Sequence, residues 1–155
     1  MLKTTIEHVT QLSFLPRLFP VNVYLVEESD GVTLIDTGMS FSQQGILQAA
    51  AAIGRPITRI VLTHAHGDHV GALDGLKKEL PNASVYISRR DALLLKGNAE
   101  LQPGELQTPI RGDIPKNITT VPDVLLGDGD SIGSLKAIAT FFAGVASWMP
   151  LRNSQ

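Results

Sequence analysis

Residues Ile60-Val61-Leu62-Thr63-His64-Ala65-His66-Gly67-Asp68-His69 decide how the chain is read. An apolar run opens directly into a segment that holds three of the chain's four histidines, with a carboxylate between the second and third of them. Imidazole and carboxylate are the donors that a borderline cation such as zinc prefers. If the strand ends at Thr63, alternate residues keep to one side, so His64 and His66 project together toward one ion. Gly67 permits a tight bend, after which Asp68 and His69 turn toward a neighbouring position for a second ion. The competing reading is a polar turn at the mouth of a buried strand, its histidines bonded only to backbone and water. Three histidines at i, i+2 and i+5 around an aspartate form a more specific pattern than that turn requires.

Working outward, Arg59 to Thr63 reads as a buried strand. Val70, Leu73, Leu76 and Leu80 then sit at helical spacing up to Pro81, so the histidine loop is pinned between a strand and a helix. Upstream, Asn22 to Glu28 and Val32 to Ile35 read as a hairpin turning at Glu28-Ser29-Asp30-Gly31. That hairpin delivers Asp36 to a strand end, where it either holds a neighbouring loop by hydrogen bonds or is a simple turn residue. Ser40 and Gln43 fit a capping box, and Ile46, Ala50 and Ile53 share a helical stripe that stops at Gly54-Arg55-Pro56.

At the N-terminus, Ile6 to Leu12 reads as one strand. Phe14 to Pro20 is a loop with two prolines, whose Phe14, Leu18 and Phe19 serve either the core or an apolar substrate group. Val85 to Ile87 is a short strand and Asp91 to Lys96 a short helix. Gly97 to Asn117 is a proline-rich loop. Thr119 to Leu126 and Ser131 to Thr140 read as a hairpin around Gly127-Asp128-Gly129-Asp130, which lacks the remaining ligands of a calcium loop.

The bulk numbers narrow the function. A chain of 155 residues is one domain's worth, with ordinary globular composition at 43% hydrophobic and 18% charged residues. A net charge of -2 offers no basic footprint for nucleic acid, and the absence of cysteine removes both disulfides and thiolate metal sites. No secretory signal or apolar span of about 20 residues is present, so the expectation is a soluble cytoplasmic protein with no membrane partner.

His64-Ala65-His66-Gly67-Asp68-His69 after an apolar strand, with Leu34-Ile35-Asp36-Thr37-Gly38 upstream, resembles the HxHxDH signature of the metallo-β-lactamase superfamily, over about Ile6 to Thr140. The resemblance implies an α/β fold, an αββα sandwich cut to roughly its first half, with a mixed sheet and helices on one face. It implies metal ligation by His64 and His66 at one ion and by Asp68 and His69 at another. Zinc is the expected metal, two ions in complete members, with iron or manganese suited to the same donors. Asp36 is implied as an outer residue orienting the metal loop. The implied activity is a metal-dependent hydrolase in which activated hydroxide attacks an ester, lactone, thioester or similar bond of a small molecule, with Asp68 as candidate catalytic proton acceptor.

The family pattern breaks after Thr140. Relatives continue with a Pro-Gly-His whose histidine completes the first site, then an aspartate and a last histidine. Here Phe141-Phe142-Ala143-Gly144-Val145-Ala146-Ser147-Trp148-Met149-Pro150 follows, and His8 is the one other histidine. The expectation is therefore a family-like domain over 1–140 and an unrelated tail over 141–155, arising from a frameshift or premature stop in a longer gene. The alternative function is a catalytically impaired or inactive half-domain that keeps only the fold and a partial metal site. Apolar surface that a second half would cover is expected to drive homo-oligomer formation or poor solubility.

Overall fold

The computed structural model describes residues 1–100, 103, 112–141 and 145–150, the stretches 139–141 and 145–150 by backbone alone. Four antiparallel strands come first: β1 (Leu2–Ile6), β2 (Val9–Phe14), β3 (Val21–Glu28) and β4 (Gly31–Ile35). Helix α1 (Gln43–Ile53) then crosses to β5 (Ile57–Val61), and α2 (Gly67–Val70) with α3 (Leu73–Glu79) crosses to β6 (Ser84–Ser88). Helix α4 (Arg89–Leu95) precedes β7 (Val124–Leu126). The strands lie side by side in chain order in one mixed seven-stranded sheet, and β4 to β7 run parallel. Parallel neighbours need long crossovers, and the helices supply them. A second, three-stranded sheet is built from β8 (Ser131–Ile132), β9 (Leu135–Phe141) and β10 (Val145–Pro150). This is the α/β architecture expected, with its mixed sheet and one helical face.

Alternation along the strands makes two faces. Leu12, Val23, Leu34, Ile60 and Val85 point toward the helices, where Ile46, Leu73, Leu76 and Leu94 complete one continuous core. On the opposite face Val26 and Ile35 meet Leu135, while Val61 and Leu126 meet Ile132, so the second sheet covers part of the first. Gly54, in the left-handed conformation, ends α1 at the expected place and donates back to Ala50 and Ala51.

Several local expectations change. The strand expected over Ile6 to Leu12 is two strands, because the chain reverses at Glu7-His8 with Glu7 at φ 52°. The capping box at Ser40 makes no side-chain cap bond; Gln43 instead donates to the Gly75 carbonyl at 3.3 Å. The helix expected from Val70 to Leu80 is broken, since the Gly71 N–H donates to the Gly38 carbonyl at 2.8 Å instead of continuing the turn. Any larger residue at 71 would press on that carbonyl and on the Met39 backbone.

The hairpin expected between 119–126 and 131–140 does not form. Asp123 exchanges two hydrogen bonds with Val85, one through its backbone N–H and one through its carboxylate, and so docks β7 on β6 in the main sheet. The antiparallel partners of β9 are β8 and β10. Of the three apolar side chains in the Phe14 to Pro20 loop, Phe14 is core, whereas Leu18 and Phe19 are exposed.

Candidate metal centre

Parallel pairing fixes where the site is. Ile35 aligns with Val61 and Val61 with Tyr86, so β4, β5 and β6 end along one edge of the sheet. Asp36, His64 and Ser88 therefore emerge side by side, at the strand ends where α/β sheets characteristically present their ligand sites.

Asp36 organises that edge. It is buried and adopts φ 61°, a left-handed conformation that aspartate tolerates better than most residues. Its Oδ1 accepts from the Thr63 backbone N–H at 2.8 Å, and its Oδ2 accepts from the Thr63 hydroxyl at 2.7 Å and from His69 Nδ1 at 2.7 Å. The simple-turn reading of this residue is thereby set aside. Thr37 adds a second grip, donating from its N–H at 2.7 Å and its hydroxyl at 2.9 Å to the His69 carbonyl.

This network assigns the imidazole protons. The single hydroxyl proton of Thr63 goes to Asp36, so in its contact with His64 Nδ1 at 2.9 Å the hydroxyl oxygen accepts. His64 then carries its proton on Nδ1, and neutral His69 does likewise toward Asp36. Both Nε2 atoms are left with free lone pairs, the condition a ligating imidazole must meet.

The rings gather closely. The His64 ring lies 4.7 Å from His66 and 3.9 Å from His69, centroid to centroid. Burial is the main reason His64 resists protonation, its pKa falling from 6.5 to about 4, with the neighbouring His69 adding to the effect. Burial also works against a charged His69, but the hydrogen bond and charge of Asp36, joined by Asp68, outweigh it and raise its pKa.

His69 Nε2 and Asp68 Oδ2 stand 3.3 Å apart. Two lone-pair donors at that distance need something positive between them. A proton on the raised imidazole serves, and so does a cation, since two ligands about 2.1 Å from a tetrahedral zinc ion lie about 3.4 Å apart. The donor pair thus fits a divalent cation in chemistry and in separation. Among the described residues, however, no three histidine or acidic side chains converge on one cation position.

His8, the fourth histidine, is not in the cluster. It sits at the β1–β2 turn and lines an apolar cavity of about 330 Å³ on the opposite face, together with Tyr24, Ile35, Thr63 and Leu135.

Residues that the sequence did not single out complete the site. Asp91, at the start of α4, accepts from the Ala65 N–H at 3.3 Å. The Gly67 N–H donates to the Asp113 carbonyl at 2.8 Å. Gly112, at φ 102°, lies against His66, and a Cβ there would come within 2.8 Å of its Nε2. A Ser-x-x-Asp pattern at Ser88 to Asp91 was a readable signal for the first; the approach of residues 112 and 113 is a long-range contact with no local signal.

Comparison with known proteins agrees with the fold. The profile of the metallo-beta-lactamase superfamily matches residues 16–148. The uncharacterized protein YobT of Bacillus subtilis is 52% identical over 152 residues, covering 97% of this chain and 65% of that protein. The probable metallo-hydrolase YybB of the same organism is 32% identical over 113 residues, covering 70% of this chain and 46% of YybB. Among solved structures, BJP-1, a subclass B3 metallo-beta-lactamase of Bradyrhizobium japonicum, superposes with a TM-score of 0.66 at 28% identity, over 92% of this chain and 53% of that one. The chain therefore spans about half to two thirds of the length of these relatives.

Proposed function

The chain belongs to the metallo-beta-lactamase superfamily, and on that premise we propose that it is a metal-dependent hydrolase of an ester, lactone, thioester or similar bond in a small molecule. Asp68 and His69 would hold one cation, and His64 with His66 its neighbour. Zinc is the first candidate, and iron or manganese suits the same donors. When bound, the cation polarises the scissile carbonyl or phosphoryl oxygen and makes water a better nucleophile.

The chain's own residues supply the preorganisation. Asp36 keeps the Nδ1 proton of His69 and, through Thr63, fixes the tautomer of His64. Asp68, partly exposed beside His69 Nε2, would accept a proton from an attacking water. The observation that carries the reading is this single carboxylate governing two imidazoles of the motif.

The test is metal content after reconstitution with zinc, iron or manganese, paired with turnover of ester, lactone and thioester substrates. Bound metal and turnover are expected, with turnover and the ion held by His64 and His66 lost in His66→Ala. Wild-type protein with neither would leave the second reading, an inactive half-domain. That alternative is favoured by the lack of a three-donor convergence among the described residues.

Self-association belongs to the same proposal. Every residue of the edge strand β1 is exposed, including Leu2 and Ile6 at its two ends, and the unpaired backbone groups of an open edge invite pairing. Light scattering that returned only monomer across micromolar concentrations would reject it.

A further inference from the structure

Ser88 and Asp91 form a reciprocal pair at the start of α4. The Ser88 hydroxyl oxygen accepts from the Asp91 N–H at 3.1 Å, the ordinary N-cap bond, and its proton goes to Asp91 Oδ2 at 2.8 Å. In a standard capping box the acidic side chain would reach back to the N-cap backbone N–H. Asp91 does otherwise. Its second oxygen, Oδ1, leaves the helix and accepts from the N–H of Ala65, the residue between His64 and His66.

Burial makes this arrangement costly. Asp91 is 1% exposed and Ala65 fully buried. Removing a carboxylate from water costs several kcal/mol unless its lone pairs are used, and helix capping alone asks for no such burial. Ser88 already provides the cap. What the buried carboxylate adds is a bond to the histidine loop, on the opposite side of the chain from the bonds made by Asp36. His66 is meanwhile confined from outside by Gly112, where a Cβ would collide with the ring.

We propose that Asp91 is a positioning residue, which holds the Ala65 peptide so that His64 and His66 stay on a common side for a divalent cation. The inference rests on the metal-centre reading for its consequence, though not for the contact itself. Asp36 sets which nitrogens are free; Asp91 sets how far apart two of them lie. Carboxylates that orient a ligand loop from outside it typically change metal affinity 10- to 100-fold when removed.

The experiment uses the full chain with cobalt(II) as the probe, and two measurements. One is the dissociation constant for cobalt(II), followed by its visible absorption; the other is hydrogen exchange at the Ala65 amide without metal. Asp91→Ala is expected to weaken cobalt(II) binding about 10- to 100-fold and to speed Ala65 exchange at least about tenfold, while exchange at the Leu62 amide, which follows β5 and donates to the Tyr86 carbonyl, stays unchanged. Asp91→Asn, which keeps an acceptor for the amide, should restore most of both. Wild-type exchange at Ala65 in Asp91→Ala would overturn the proposal, as would unchanged cobalt(II) affinity.

If wild-type protein binds no cobalt(II), the metal-centre reading fails, and the exchange measurement still decides whether Asp91 holds the loop. If Asp91→Ala does not fold, Ser88→Ala takes its place, because it frees the carboxylate without deleting it. Faster Ala65 exchange in that variant supports the role, and unchanged exchange overturns it.

Discussion

The two faces of the seven-stranded sheet are finished to different degrees. On the helical face one core cluster runs unbroken from Leu12 on β2 to Leu95 on α4. On the other, among the described residues, two separate clusters of three buried side chains each mark where the small second sheet touches down. Between β2, β3 and Leu135 lies the cavity of about 330 Å³. Hydrophobic stabilisation scales with the apolar area removed from water, so the helical layer carries most of it. The candidate metal loop is anchored to that finished half, since Val70, Leu62 and Ala65 all belong to the helical-face core.

The strongest way to break this contrast is to delete matched leucines from the two faces. Leu34 is fully buried on β4 toward the helices, and Leu34→Ala should cost about 2–5 kcal/mol in urea-induced unfolding, the range for a leucine removed from a packed core. Leu135, on β9, is nearly as buried but borders the cavity. A side chain with empty space on one side has fewer packing contacts to lose, so Leu135→Ala should cost only about 1–2 kcal/mol. Equal losses would mean that the second sheet is as firmly integrated as the helices and that the two faces do not differ in packing.

The same asymmetry governs what could be read from the sequence. Elements of the helical face announce themselves locally: the apolar run of β5, which ends at Val61 rather than at the expected Thr63, and the stripe and glycine stop of α1. Asp36 was legible as a strand-end carboxylate, although its three hydrogen bonds were not. What escaped depends on contacts between distant segments. Gly71 breaks a well-patterned helix because Gly38 claims its N–H. The 124–126 strand joins β6 because Asp123 finds Val85, a pairing that no hairpin rule anticipates. Glu7 and His8 carry no strong turn chemistry, yet the chain reverses there, with the His8 carbonyl accepting from the Glu27 N–H at 2.8 Å. Asp91 shows the intermediate case, a recognisable capping pattern whose second oxygen is spent outside the helix.

A finer comparison uses the carboxylates that clasp loops to each face. On the second-sheet side, Glu28 accepts from the Ser134 N–H at 3.1 Å and from its hydroxyl at 2.9 Å, holding the β8–β9 turn against the end of β3. On the helical side, Asp74 of α3 accepts from the N–H groups of Thr119 and Thr120 at 2.9 and 2.8 Å and from the Thr120 hydroxyl at 2.6 Å, tying down the segment that leads into β7. Asn in place of Asp74 keeps one acceptor oxygen and turns an amide N–H toward a donor, so Asp74→Asn should cost about 1 kcal/mol.

Its pH dependence separates this loss from a packing defect. Burial pushes the Asp74 carboxyl up, but the hydrogen bonds from Thr120 and Thr119 outweigh it and hold the pKa below its ordinary value of 3.8. A carboxyl lowered on folding stabilises the fold above its unfolded pKa, and that stabilisation is lost as pH falls through the folded value. The stability gap between wild type and Asp74→Asn should therefore be full at neutral pH and shrink as the solution is acidified below about pH 4. A gap that stayed constant through that range would assign the loss to altered packing of the 119–120 segment rather than to the charge on Asp74.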